Sequence, residues 1–186
     1  MKQKDGVKTR GKRFKSEHIV QAKDLVYAAK INAVSMYRVL SEKFPELREV
    51  AKSGLYEYWD YLITITSVGF AFMEIADSFK DERESDSVAD AVQKALNEWD
   101  EHPFEFANYD IMCNFLDSFD CFQKERLPFN VSVGAWIWLN LKDKKTATKR
   151  LKEIANQEFY AKLLGDMIIT TFHDWWKSEK GLGDAS

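Results

Sequence analysis

The sequence predicts an all-α domain of six or seven helices packed around one central buried helix, about residues 55–79, in an irregular bundle. Three observations point there. Residues 61–73 form a run of thirteen without a charge, closed by Glu57 and Asp60 on one side and by Glu74 and Asp77 on the other. A segment that is apolar nearly all round belongs inside a core, and this one is shorter than the roughly 20 residues that span a bilayer. On both sides of it apolar residues recur at threes and fours, the period of an amphipathic helix. Only three prolines, at 45, 103 and 128, interrupt the 186 residues, and each falls between such segments.

A chain of this length is one domain's worth, since domains run roughly 100–200 residues. At that size about 70% of the unfolded surface is buried on folding, so neither a metal nor a disulfide is needed merely to hold the fold. The 26 aromatic residues (13 Phe, 7 Tyr and 6 Trp) supply large apolar area to the core.

Residues 1–15 carry seven cations against Asp5, two glycines, and only Val7 and Phe14 as sizeable apolar side chains. Such a segment does not offset the entropy of ordering. The expected organisation is therefore a disordered basic arm over 1–15, one helical domain over 16–178, and a frayed tail over 179–186.

Ser16 fits an N-cap. The stripe Ile19, Ala22, Val26, Ala29, Ala33, Met36 and Leu40 then predicts a helix that stops near Phe44, before Pro45. A short helix over 46–52 follows, and Ser53-Gly54 punctuates. The central segment contains Ile63-Thr64-Ile65-Thr66, whose alternation and β-branching would also suit a strand. Helix is the better reading, because 25 residues without proline exceed a single strand. Within it Leu62, Ile65, Phe70 and Phe72 are expected to be nearly fully buried.

Residues 80–87 read as a charged loop, with Ser87 and Asp90 resembling a capping box. Val88, Val92, Ala95 and Trp99 mark the next helix. His102-Pro103 breaks it, and Pro103 is placed to start another, carrying Phe104, Ile111, Phe115, Phe119 and Phe122. Leu127-Pro128-Phe129 is a loop. Residues 131–141 alternate like a strand but also fit a helix, and the all-helical context favours helix. A last helix over about 146–177 carries Leu151, Ala155, Phe159, Leu163, Met167 and Thr171.

The net charge of −3 conceals an asymmetry: the arm is +6 and the remaining 171 residues are −9. Lys8, Arg10, Lys12, Arg13 and Lys15 could neutralise phosphates, so salt-dependent nucleic-acid binding through the arm is one expectation. Phe14 could add base stacking. The acidic body opposes it.

Lys142, Lys145, Lys149 and Lys152 form a second basic feature. They fall within an arc of about 80° at 100° per residue. The acidic stretch 74–110 could face them, within one chain or across a homodimer.

Cys113 and Cys121 match no zinc or disulfide framework, and reduced core thiols are the expectation. No export signal is evident, which makes the cytoplasm the expected compartment. None of His18, His102 and His173 belongs to a helical pair of ligands. His173, beside Trp175 and Trp176, reads as packing at a helix end.

Glu57-x-x-Asp60 and Glu74-x-x-Asp77, thirteen residues apart, resemble the paired carboxylates of the all-α nucleoside triphosphate pyrophosphatases (MazG-like enzymes and dimeric dUTPases). The resemblance covers 21 residues. It implies Mg²⁺ held by those four side chains, polarising phosphates and activating water. Asp60 stands where that family carries Glu, and Tyr56 where a further Glu is often found. On one straight helix Asp60 and Glu74 would lie about 21 Å apart. A shared metal therefore requires the chain to turn between them, and Gly69 is the only breaker there. The plainer reading is two solvated helix ends flanking a buried middle.

These features favour a non-enzymatic helical interaction protein with no cofactor, whose partner is another protein or a second copy of the chain, with charge-segregated surfaces steering association. Small accessory or regulatory proteins of bacteria and phages have this general look. The alternatives are Mg²⁺-dependent nucleotide hydrolysis and nucleic-acid binding through the arm.

Overall fold

The uncharged run lies inside one helix and is buried along most of its length. The computed structural model describes residues 5–43, 56–78, 82–101, 103–140 and 154–179. Six helices are present among them: α1 (Asp5–Lys43), α2 (Tyr56–Ser78), α3 (Glu82–Asn97), α4 (Asn108–Lys124), α5 (Phe129–Asn140) and α6 (Ile154–Glu179). The described residues contain no strand, so the all-α class holds.

In α2, Tyr61 to Thr66 are buried without a gap, and Val68 to Ala71 after them. This helix touches each of the other five. Its β-branched stretch is helical, because tertiary burial overrides strand preference. Thr64 Oγ1 donates to the Asp60 carbonyl at 2.6 Å, the bond a helical threonine makes one turn back. Gly69 does not turn the chain. A Cβ there would stand 2.6 Å from the Phe115 ring, so the glycine admits that ring against the α2 backbone. Leu62, Ile65 and Phe70 are fully buried, whereas Phe72 is only partly so and packs at the edge of the core.

α1 begins at Asp5, eleven residues before the Ser16 cap, so the backbone of residues 5–15 is helical where the sequence suggests coil. Nothing in that stretch breaks a helix: it has no proline, and Lys and Arg are good helix formers. Once packing fixes the body of the helix, each added residue gains a hydrogen bond without a new nucleation cost. Gly6 and Gly11 oppose this by about 1 kcal/mol each. Ala22, Leu25, Val26, Ala29, Ala33, Met36 and Leu40 are buried, against α2 and α3.

α3 starts at Glu82, so Ser87 lies within the helix and is not its cap. The acidic residues at 82, 84 and 86 sit in the first turns, where the helix dipole favours them. Ala91, Val92, Ala95 and Leu96 are its buried face. Pro103 does not start a helix: residues 98–101 and 103–107 are irregular, and α4 begins at Asn108.

α4 ends in a Schellman arrangement, with Leu127 N donating to Phe122 O at 3.1 Å and Arg126 N to Gln123 O at 3.0 Å. Arg126 takes φ 63° there. Leu127 and Phe122, the pair that accompanies such a cap, pack on one small cluster with Val131, Ala135 and Ala161.

α5 is buried continuously from Val131 to Trp138. A helix enclosed on all sides has no polar face, which is why its pattern suited two secondary structures. The buried face of α6 is Ala161, Leu164, Ile168 and Phe172, one position round from the stripe read in the sequence, and Phe159 is exposed. The choice follows from glycine. A Cβ on Gly134 would lie 1.8 Å from the Ala161 carbonyl oxygen, and one on Gly165 would lie 1.8 Å from that of Asn130. Only this face of α6 lets the two backbones meet.

The expected helix over 46–52 and the first part of the last helix lie outside the described residues. No described helix is long and apolar enough to cross a membrane.

Candidate functional site

α1 carries two apolar stripes. The inner one is core. The outer one is Val20, Tyr27, Ile31 and Val34, which are 58%, 68%, 49% and 51% exposed. Their spacings of seven, four and three place them within an arc of about 60° at 100° per residue, opposite Ala29 and Met36. Single exposed apolar residues are ordinary. Four aligned along about 21 Å of one helix are not scattered.

Beside this stripe, α1 and the C-terminal end of α3 enclose a groove of about 460 Å³, lined by Tyr27, Ile31 and Val34 on one wall and by Ala95, Glu98, Trp99 and Asp100 on the other. Ion pairs clamp the two walls. Lys23 Nζ lies 2.6 Å from Glu98 Oε2, with Lys94 3.7 Å from the other oxygen, and Lys30 pairs with Glu101. The hydrogen bond from Lys23 is the main cause holding the Glu98 carboxyl below its usual range.

A buried network fixes the floor from which Trp99 and Glu101 project. Asn108, fully buried, donates to the Leu96 carbonyl at 2.9 Å and to that of Glu101 at 3.0 Å. It accepts from the Tyr61 hydroxyl. Burial, and then the charge of Glu101, push the Tyr61 phenol up, which favours the protonated form that donates this bond. Trp99 stacks on the Tyr61 ring at 5.4 Å.

Asp60 and Glu74 are not drawn together. α2 is unbroken from Tyr56 to Ser78, so Asp60 and Glu74 stand about 21 Å apart along its axis. Asp60 belongs instead with Lys30 and Glu101. Burial chiefly, and Glu101 next, raise its carboxyl above the usual range, against the pull of Lys30. One Asp60 oxygen is buried with no hydrogen-bond partner among the described residues. Glu74 is half-buried. The side chains of Glu57 and Asp77 lie outside the described residues. No group of three or more potential metal-ligating side chains is present among those described.

Lys8, Arg10, Lys12, Arg13 and Lys15 fall in the first turns of α1, and their side chains are outside the description. Lys142, Lys145, Lys149 and Lys152 lie in a segment outside it altogether. Neither cysteine is a core residue: Cys113 is half-buried and Cys121 exposed. The shallow packing of α4 at 113, 117 and 121 leaves that face outward. His173 is exposed, its ring 5.7 Å from Phe172.

No protein-family model matches the chain, and no curated protein or solved structure matches it. The outer stripe of α1 was not singled out in the sequence, although its signal is there. Val20, Tyr27, Ile31 and Val34 repeat at helical spacing and do not belong to the Ala22–Leu40 stripe that defines the helix.

Proposed function

We propose that this protein is a non-enzymatic helical interaction module that docks a protein partner on the outer face of α1. The observation that carries this reading is the half-exposed stripe Tyr27, Ile31 and Val34, on a helix whose opposite face is already spent on the core. An aligned apolar stripe rimmed by charges is how a helix presents itself to another helix. The Lys23–Glu98 and Lys30–Glu101 pairs rim it with both signs, which favours orientation and on-rate more than affinity.

The test is Ile31→Glu, followed by gel filtration in an extract of the cells that make the protein and by circular dichroism of the purified chain. The wild type is expected to migrate above the mass of one chain. The variant is expected to migrate as one chain with its helical signal intact. A wild type already migrating alone, or a variant that keeps its complex, would overturn the reading.

A further inference from the structure

The outer face of α1 is self-complementary about one residue. Asp24 lies seven positions before Ile31 and Arg38 seven positions after it. Seven residues are two turns, so both project within about 20° of Ile31. Both are exposed, and neither makes an ion pair among the described residues. Tyr27, four before Ile31, and Val34, three after it, complete the face with one large and one small apolar side chain.

From this arrangement we infer that the partner on α1 is a second copy of the chain, with the two α1 helices packed antiparallel across a two-fold axis at Ile31. A two-fold interface must offer the same patch on both sides, residue i meeting j and j meeting i. Antiparallel pairing about Ile31 sets each Tyr27 level with the other chain's Ser35, with that chain's Val34 only about 1.5 Å away along the axis. It also sets each Asp24 against the other chain's Arg38, giving two ion pairs at the ends of an apolar centre. Parallel in-register pairing would oppose Asp24 to Asp24 and Arg38 to Arg38, which the like charges disfavour. A helix from an unrelated protein would have no reason to match this spacing of opposite charges about one residue. This inference rests on the docking-face reading of α1 and assigns its occupant.

The test is sedimentation equilibrium on the full chain in reducing buffer, for the wild type, Asp24→Arg, Arg38→Asp and the double swap. The wild type is expected to dimerise. Each single variant is expected to weaken dimerisation by tenfold or more, roughly 1.4 kcal/mol. The double swap should restore it. The two single variants, mixed, should pair with each other better than with themselves, because one face is then wholly positive and the other wholly negative. A wild type that stays monomeric to about 100 µM, far above the micromolar range in which specific dimers form, would overturn the self-pairing. So would a dimer indifferent to both single changes. If the purified chain is monomeric while Ile31→Glu still dissolves a complex in the extract, self-pairing falls and the docking face stands. If neither is seen, both fall.

Discussion

The Tyr61 hydroxyl donates a 2.8 Å hydrogen bond to Asn108 Oδ1, joining the central helix α2 to the first residue of α4. The same Asn108 side chain holds the Leu96 and Glu101 carbonyls. One amide thus ties α2, the end of α3, the crossover and α4 together. Tyr61→Phe leaves the Asn108 oxygen buried and unsatisfied, and an orphaned buried polar group costs about 1–3 kcal/mol. Asn108→Ala strands the Glu101 carbonyl and the phenol and leaves the Leu96 carbonyl only its 3.3 Å bond from Trp99 N, so its loss should be the larger of the two. Urea unfolding of both variants measures this. Equal and negligible losses would show that the network does not hold the crossover.

The contact of α5 with α6 depends on two glycines. Gly134→Ala and Gly165→Ala each place a methyl 1.8 Å from a backbone oxygen of the facing helix, which no rotamer change relieves. Overpacking of this kind costs about 1–3 kcal/mol, and more where backbone must move. Each variant should lose at least about 3 kcal/mol in chemical denaturation. A neutral result at either position would contradict the close approach of the two backbones.

Asp60 should make the protein less stable as pH rises. Its folded carboxyl lies above the ordinary value, so the native state holds the proton more tightly than the unfolded chain. Stability attributable to this group therefore falls as pH climbs from about 4, the unfolded value, through the raised folded one. Asp60→Asn is expected to melt above the wild type at pH 7, with the gap closing below about pH 4. Thermal melts at the two pH values check the sign. A gap that widens in acid would contradict it.

Much of the fold was legible because burial leaves a periodic trace. The α1 core stripe, the central helix and the helical reading of 131–141 agree with α1, α2 and α5. The start of α3 was missed because Ser87 offered a cap, while the acidic first turn at 82–86 suited the dipole equally well. The start of α4 was missed because Pro103 is a good first-turn residue, and only the buried bonds of Asn108 place the helix five residues later. The face of α6 was read one position off because Leu163 and Leu164, and Met167 and Ile168, allow two stripes, and the glycine approach chooses between them. The outer stripe of α1 escaped notice for a related reason. A second apolar stripe on a helix whose core face is already assigned looks like ordinary surface until its exposure is measured.

The central claim is that the outer face of α1 meets another protein chain. A photo-crosslinking scan tests it most directly, with a benzophenone side chain placed in turn at Tyr27, Ala28, Ile31, Asn32, Val34 and Ser35, and at Asp117 on α4 as a remote control. Adduct to a second chain is expected to rise and fall with the helical period: strong from 27, 31 and 34, intermediate from 35 at the edge of the face, weak from 28 and 32, and absent from 117. A flat profile along α1, or adduct from 117 as strong as from 31, would contradict the account.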